Sequence, residues 1–533
     1  MNRNRFCFVL ICSLLAIGIT VRANNMSVTN IILVGSGVGY THVACDVSWD
    51  NSWRASWQEN SSMVTNWDAA WVFVKFRVAT NNAPWQHATL STNNSDHIIP
   101  AQAVFNVGTS SNAVSAKLGV GGFLYRKDEG SGNWTNTVKL RWNYAQDGVA
   151  STQKVQVSVQ SIEMVYVPQG SFKVGSGGTE SGSFTEGNAG TTWVSGTTPS
   201  VPLAITGEGA LPIGNTAGSL WGTSTSGNNS IGSAGILPAA YPKGYNAFYC
   251  MKYEISQGQW VTFFNMLSDS GNQKKSGDLN AGRDITGGTI AAATGKGTDT
   301  ETNRNTIAWA GSGDATCTTP DRACNYLGWA DGAAYADWAG LRPMTELEFE
   351  KACRGTKNPK ADEYAWGETT IMPSTEAGVI NVTSPENGTE TNKTSTALGA
   401  AVYYDRQIQV EGVNSGKGPV RCGLFATANS TRITSGATYW GIMEMTGNVY
   451  ERTVTGADAG RTFTGALGDG TLDANGNANA AFWPGISASG SGYRGGAFNG
   501  VASYLRLSSR IVGSSASNWR TSADGFRAVR SVQ

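Results

Sequence analysis

The chain has 533 residues, more than one ordinary hydrophobic core accommodates, so its length predicts two or three domains. Lysine plus arginine and aspartate plus glutamate both total 39, and only 15% of the residues are charged. This balance gives no overall field toward nucleic acid or an anionic membrane, and we expect no nucleic-acid partner. The 67 glycines and 10% aromatic residues are typical of a loop-rich globular protein with aromatic side chains buried beneath irregular backbone.

The first 23 residues have the pattern of a secretory signal peptide. A basic start at residues 2–5 precedes an apolar run at residues 6–21, and Ala23 offers a small residue at a cleavage point. An uncleaved membrane anchor is the alternative, which the short apolar run and the polar residues 24–25 disfavour. No later segment reaches the roughly 18 apolar residues of a spanning helix. We therefore expect an exported mature chain, periplasmic, at the cell surface or secreted, without a transmembrane segment.

Residues 24–163 predict an N-terminal all-β sandwich domain. Short stretches that alternate or run apolar lie at residues 67–78, 121–127, 137–144 and 154–167. Clusters of Asn, Asp, Gly and Ser separate them, as in sandwiches built from short strands. All three histidines, His42, His87 and His97, lie in this region without a set of carboxylates or cysteines at ligand spacing. We interpret them as framework residues.

Six cysteines follow the predicted signal peptide, and an exported chain can oxidise such thiols. Cys317 and Cys324 are the best pair by spacing, and both a bridge between them and two free thiols remain open. The sequence contains no C-x-x-C pair, so it indicates neither a zinc ribbon nor a thioredoxin-type redox site.

A segment rich in Gly, Ser and Thr occupies residues 175–240 and is either a disordered insertion or a long ordered surface loop. Three helices are predicted beyond it. Trp260, Phe263 and Phe264 recur at helical spacing and predict the first. The alanine-rich residues 325–340 predict the second, and Thr345 followed by Glu348 forms a capping box that begins the third.

Seven sequence blocks, among them MVYVPQGSFKVG, GIMEMTGNVYER, YRGGAF and GFRAVR, occur in the order found in one known enzyme family. They lie at residues 164–175, 251–265, 329–355, 364–368, 441–452, 493–498 and 525–530. Through them, residues 164–533 resemble the formylglycine-generating (sulfatase-modifying factor) family. The resemblance implies an α+β domain of C-type-lectin-like fold, with a small twisted sheet, long packed loops and little regular secondary structure. The predicted fold class is therefore an N-terminal all-β sandwich followed by such a domain.

The catalytic metals of that family are not expected here. Family enzymes oxidise a cysteine of a sulfatase peptide with copper on two cysteines, since Cu(I) prefers thiolate ligands. The resemblance places Gly500 and Leu505 at those positions, and residues 494–533 contain no cysteine. A related branch holds iron on histidines, but no histidine follows His97. The sequence therefore predicts no copper, no iron and no catalytic residue.

The family's calcium site does have counterparts in this sequence. Matched residue by residue to residues 441–452, the resemblance implies two carboxylates and two backbone carbonyls as ligands, a set of hard oxygens that suits Ca²⁺: Glu444, Glu451, Gly447 and Val449. Glu444 replaces the Asn or Asp usual in the family, and the alternative role for Glu451 is to cap a turn. A second family site would involve Asn381 and the carbonyl of Val382.

The C-terminal segment also resembles the variable proteins of diversity-generating retroelements, in which a lectin-type scaffold displays altered residues. Within residues 494–530, the resemblance assigns a ligand-binding surface to a mixture of aromatic, aliphatic and small polar residues: Asn499, Tyr504, Ile511, Val512, Ser515, Asn518 and Trp519. Such a mixture combines rigid contact area with adaptable hydrogen bonds. The alternative is that Tyr504, Ile511 and Trp519 belong to the core.

Three functional hypotheses follow from these patterns. The first is an exported, catalytically inactive protein that displays a surface for an unidentified protein or glycan, with calcium as its cofactor. The second is a formylglycine-generating or related oxidoreductase with non-standard catalytic residues, in which Cys353 or Cys422 would supply the thiol. The third is an exported structural or adhesive protein without a dedicated ligand.

Overall fold

Strands dominate the computed structural model, which describes residues 25–59, 62–79, 83–110, 118–268, 273–274, 303–309, 312–373 and 379–532. The predicted signal peptide lies outside the described residues. The strands are β1 to β22 in chain order: Ser27–Gly37, Tyr40–Glu59, Ser62–Val78, Gln86–His87, Ala103–Gly108, Gly121–Arg126, Gly130–Trp142, Val155–Val167, Phe172–Val174, Phe184–Glu186, Leu203–Ile205, Leu211–Ile213, Leu220–Gly222, Gly235–Leu237, Phe248–Met251, Arg342–Thr345, Val379–Val382, Gln407–Val410, Val413–Lys417, Glu451–Val454, Ser491–Arg494 and Ala528–Ser531. The α-helices in this part of the chain are α1 to α4: Gln257–Asn265, Trp329–Trp338, Glu346–Arg354 and Arg432–Ser435.

The long strands β2 and β3 organise the N-terminal region into two facing layers. The first part of β2 pairs with β1 and β7, and its last residues pair with the beginning of β3. The remainder of β3 pairs with β6 and β8. Val43 and Val47 of one layer pack in the same core as Val72 and Val74 of the other, as the two-residue period of a strand requires. The region is β-rich, as its alternating pattern predicts.

Strand β8 joins the two halves of the chain in one continuous sheet. Its residues 155–165 pair with β3, and its residues 164–167 pair with β15. The sheet continues from β15 through β22, β16 and β20 to β21. The domain boundary predicted between residues 163 and 164 therefore falls inside a strand that serves both halves.

The two halves also share a buried interface. The indole Nε1–H of Trp71 donates a hydrogen bond to the carbonyl of Ala339 at 2.7 Å, and the Arg530 guanidinium lies 4.3 Å from the Trp71 ring centroid. The ammonium of Lys75 donates to the carbonyls of Trp338 and Gly470 at 2.7 and 2.9 Å. Buried aromatic residues of both halves belong to one hydrophobic cluster.

The three predicted helices are confirmed as α1, α2 and α3. The capping box before α3 forms as expected: Thr345 Oγ1 accepts from the Glu348 amide at 3.2 Å, and Glu348 Oε2 accepts from the Thr345 amide at 3.0 Å. A second box, between Ser256 and Gln259, begins α1. No helix in the described part of the chain is both long and apolar enough to cross a membrane.

The Gly/Ser/Thr-rich segment at residues 175–240 is ordered, which resolves the two alternatives left by its composition. It contributes β10, β12, β13 and β14 to a four-stranded sheet. Phe184 and Leu220 of that sheet are fully buried in the main cluster, so the few apolar residues of the segment anchor its irregular backbone. The thiol of Cys317 is free, so the disulfide considered with Cys324 is not formed.

Candidate functional site

A buried ion-pair network on α3 holds the C-terminal segment. Glu346, Glu350 and Arg354 recur every four residues and therefore share one helix face. Arg494 donates to Glu346 at 3.1 Å and to Glu350 at 2.8 Å, and Arg510 donates to Glu346 at 2.6 Å. These side chains are fully buried, and removing one partner of such a network leaves an uncompensated charge. The segment between Arg494 and Arg510 is thus fixed at both ends.

Hydrocarbon fills the position where the family resemblance places one copper cysteine. Leu505 is completely buried in a cluster with Phe498 and Tyr403. A Cβ added to Gly496 would lie 2.4 Å from Leu505 Cδ1, so the leucine packs directly against that backbone. The other copper position, Gly500, has no side chain to offer a metal.

The two other cysteines considered for catalysis, Cys353 and Cys422, are fully buried. Cys353 packs in a cluster with Met344 and Trp440, and Cys422 packs in another with Tyr253. Burial raises the pKa of both thiols well above the ordinary value, whereas a nucleophilic or metal-binding cysteine needs a lowered one. The structure places the two residues in different hydrophobic clusters.

None of the seven residues assigned to the ligand-binding surface is buried. Asn499, Tyr504 and Trp519 are exposed, the last two with 38% and 54% of their surface accessible. The others are half-buried: Ile511, Val512, Ser515 and Asn518. The backbone beneath them is fixed, since the Arg452 guanidinium donates to the carbonyl of Trp519 at 3.0 Å and the Tyr493 amide donates to the carbonyl of Val512 at 3.0 Å.

Additional exposed residues that the sequence analysis missed lie beside this segment. The amide of Tyr404 donates to the carbonyl of Gly500 at 2.9 Å, and the Tyr404 side chain is 53% exposed. Val501, next to Gly500, is also exposed. Tyr404 belongs to none of the seven blocks, and no local signal in the sequence connects it with Gly500, which is distant along the chain.

The carboxylates expected to bind calcium are buried and only partly satisfied. Glu451 Oε1 accepts from Arg527 Nε at 2.8 Å and Glu444 Oε1 accepts from the Gly423 amide at 2.8 Å, while the Oε2 atom of each has no hydrogen-bond partner. Burial raises the pKa of Glu444 to about 7 and raises the pKa of Glu451 as well. Glu451 belongs to β20 and pairs with an arginine.

A third carboxylate, Glu254, was not singled out from the sequence although it stands in the block at residues 251–265. It accepts from the Val449 amide at 3.0 Å and from Asn448 Nδ2 at 2.6 Å. Burial and the charges of Glu451 and Glu444 raise its pKa well above the ordinary value. The negative charges of Glu444 and Glu451 thus repel that of Glu254 at the loop that the resemblance assigns to calcium.

The second suggested calcium position is occupied by regular structure. Asn381 and Val382 end β17, and their carbonyls accept from the amides of Lys393 and Glu411 at 2.8 and 3.0 Å. Among the residues that the structure describes, no three His, Cys, Asp or Glu side chains are placed to share a metal ion. A metal at Glu444 and Glu451 would therefore depend on backbone carbonyls for its remaining ligands.

Two comparisons with known proteins bear on this site. A family model described as the sulfatase-modifying factor enzyme 1-like domain matches residues 220–532, which is more than half of the chain. The match contains the α3 network, the candidate calcium loop and the C-terminal segment. No curated protein matches the chain.

Proposed function

The chain belongs to the sulfatase-modifying factor enzyme 1-like family, and from this premise we propose that it is a catalytically inactive member that binds a ligand through its C-terminal segment. The observation that carries the proposal is the burial of Leu505 in the core at a position where the family resemblance expects a copper thiolate. Gly500, at the other position, adds no ligand. Copper therefore does not fit the residues present.

The exposed residues of the C-terminal segment support a binding role. Tyr504 and Trp519 combine large, rigid apolar area with one polar atom each, the properties that enrich these residues at recognition surfaces. Asn499 and Asn518 contribute adaptable donors and acceptors. The α3 network fixes the backbone on which they stand, so little ordering entropy is lost on binding. We take the ligand to be a protein or a glycan.

We propose Ca²⁺ as a structural cofactor at Glu444 and Glu451, with the carbonyls of Gly447 and Val449. The unpartnered Oε2 atoms of the two glutamates support this assignment, since a buried carboxylate oxygen without a partner is costly. Arg527 donates to Glu451, and the charges of Arg527 and Arg421 act on Glu444, so two arginine cations accompany the three glutamates. A divalent cation would offset the remaining negative charge when all three glutamates are ionised. Carboxylates and carbonyls are the hard ligands that Ca²⁺ accepts. The ion would hold the loop that precedes β20.

We further propose that the protein is exported by its N-terminal signal and that its C-terminal segment is of the retroelement variable type. The sequence pattern of residues 1–23 and the resemblance of residues 494–530 support these two statements. Sequencing the DNA beside the gene tests the second statement. A near-copy of the segment together with a reverse-transcriptase gene would support it, and intact flanking DNA without either would contradict it.

The binding function is tested on glycan and cell-surface-protein arrays with wild-type protein and the Tyr504→Ala/Trp519→Ala variant. The expected result is a ligand retained by wild type and lost by the variant. The matched control is Phe482→Ala, since Phe482 is an exposed aromatic residue outside the assigned surface, with 59% of its surface accessible. A ligand that the double variant still retains, or that the Phe482 variant also loses, would contradict the proposed surface.

A further inference from the structure

A cationic cavity lies apart from the C-terminal surface, where α3 ends. It has a volume of about 370 Å³ and is lined by the four cations Arg354, Lys357, Lys360 and Arg432, with Glu363 as its lining carboxylate. Its volume falls within the range of sites for small molecules, about 300–1,000 Å³. No residue assigned above to calcium, to catalysis or to the ligand-binding surface lines it.

The two arginines of this cavity are held in place by buried contacts. Arg354 donates to Glu363 at 2.5 Å and to Ser508 Oγ at 2.9 Å, so this cation balances the carboxylate in the cavity wall. Arg432 donates to the carbonyl of Ala365 at 2.7 Å and to that of Cys353 at 3.2 Å. Backbone carbonyls are therefore the acceptors for these Arg432 hydrogen bonds, and neither of the two bonds is made to a carboxylate.

Arg432 carries a donor that the fold does not use. Its Nε–H is buried and has no hydrogen-bond partner. Burial also lowers the pKa of Arg432, because the desolvated cation is imperfectly compensated. An anion in the cavity would lie beside this cation and supply the missing negative charge, and contacts between ionised groups are the stronger class of hydrogen bond.

The two lysines of the cavity are available to an incoming anion. Lys357 pairs with Glu59 at 2.8 Å and is 54% exposed, and Lys360 pairs with Glu368 and is 49% exposed. Glu368 is 44% exposed, so its pair with Lys360 contributes about 0–1 kcal/mol and exchanging Glu368 for a ligand costs little. Glu59 is only 8% exposed, so Lys357 keeps this pair and offers its remaining donors to the anion. Each lysine carries three rotatable donors on a flexible stem and can follow the position of the anion.

We propose that this cavity binds a small molecule through a tetrahedral oxyanion, a phosphate or sulfate ester, held by Arg432, Lys357 and Lys360. Donors from three separate side chains suit an oxyanion with several acceptor oxygens, whereas a carboxylate is typically bound by the two parallel donors of one arginine. The cavity is larger than one oxyanion, which leaves room for a body of sugar size. The amide of Asn358, which also lines the cavity, offers a partner for a hydroxyl group of that body.

Calorimetric titration of the full-length protein at constant ionic strength tests this proposal. The probes are glucose 6-phosphate, glucose 6-sulfate, inorganic phosphate and glucose. Saturable binding of at least one ester, with glucose not bound, is the expected result, and the comparison of the two esters identifies the anion. Inorganic phosphate binding more weakly than the phosphate ester would support a contribution from the sugar body. Absence of saturable binding of both esters, or equal binding of glucose, would overturn the proposal.

Variants separate a site from general surface charge. Lys360→Ala breaks an exposed pair and leaves the buried arginines in place, so we expect it to weaken ester binding without loss of stability. Lys357→Ala/Lys360→Ala also removes the cationic partner of the nearly buried Glu59, so its thermal stability is measured together with its ester affinity, which we expect to fall about tenfold or more. Arg432→Gln should weaken ester binding to a similar extent, and its thermal stability is measured with its affinity because the side chain is held by buried contacts. The matched control is Lys393→Ala, which removes an exposed lysine with the same 49% exposure from its pair with Glu411. Equal loss of affinity in the Lys393 variant, or unchanged affinity in the double variant, would contradict the assignment.

Discussion

The guanidinium of Arg527 donates from Nε to Oε1 of Glu451 at 2.8 Å, while Oε2 of the same carboxylate is buried without a partner. Glu444 repeats this pattern, with one satisfied and one unsatisfied oxygen. Burial raises the pKa of both groups and that of Glu254, whose shift the charges of Glu451 and Glu444 increase. Without a cation, ionising these glutamates therefore costs the folded state free energy.

The first prediction concerns the pH dependence of the calcium-free protein. The pKa of Glu444 rises from 4.5 to about 7 on folding, so between these values the unfolded chain releases a proton that the folded protein retains. The contribution of this group to stability is therefore complete below pH 4.5 and is lost as the pH rises to 7, by about 3 kcal/mol for this group alone. Chemical denaturation of chelator-treated protein across this window measures the effect. Stability that rises across the window would contradict the assignment.

Calcium should reverse that loss, which is the second prediction. Because the ion binds the folded state only, a hundredfold excess over Kd stabilises the protein by about 2.7 kcal/mol, mainly at the upper end of the window where the glutamates are ionised. Glu444→Gln should abolish most of this stabilisation and flatten the pH profile. The control is Glu411→Gln, at an exposed carboxylate paired with Lys393, which should retain both responses. A wild-type melting temperature that is insensitive to Ca²⁺ would contradict the site.

The third prediction distinguishes the ligand-binding surface from the core. Tyr504→Ala/Trp519→Ala is expected to change the free energy of unfolding by about 0.5 kcal/mol or less per residue, as surface substitutions do. Tyr493→Ala is the contrasting variant, because Tyr493 is buried beneath the same segment and lies 4.0 Å from the Arg452 guanidinium. That variant should lose about 3–5 kcal/mol, the typical range for a core aromatic residue. Denaturant titration compares them, and a large loss in the double variant would place Tyr504 and Trp519 in the core.

The fourth prediction concerns the leucine at the family's copper position. Leu505 is fully buried, so Leu505→Ala should cost about 2–5 kcal/mol of stability through lost burial and the cavity left behind. Val501, four residues earlier and exposed, is the comparison, and Val501→Ala should stay within about 0.5 kcal/mol. Denaturant titration again gives both values. Equal, small effects would show that Leu505 does not fill the core.

Local sequence signals predicted the local structure well. The capping box of Thr345 and Glu348 begins α3 as expected, because its two hydrogen bonds involve neighbours in sequence. The alternating or apolar stretches that form β3, β6, β7 and β8 predicted a β-rich region for a similar reason, whereas the long strand β2 was not singled out. The short helix α4 was missed, since its four residues have no apolar periodicity.

Contacts between distant residues could not be predicted in the same way. The continuity of the sheet depends on β8 pairing with β3 and β15 at once, which no periodicity specifies. Glu254 acts on Glu451 from far along the chain, and Arg432 reaches the end of α3 through backbone carbonyls. The family resemblance predicted which residues of the loop would bind calcium. The number of buried charges around that loop depends on the packing of distant segments, which the sequence does not specify.

Catalytic inactivity is tested most directly by mass spectrometry of a sulfatase-derived cysteine peptide after incubation with the mature protein, Cu(I) and oxygen. An active enzyme of the same family, assayed on the same peptide, shows that the conditions support turnover. Because Gly500 and Leu505 offer no thiolate to copper, we expect no formylglycine in the peptide beyond the amount formed by Cu(I) and oxygen without protein. Copper-dependent conversion of the cysteine to formylglycine beyond that amount would contradict this expectation.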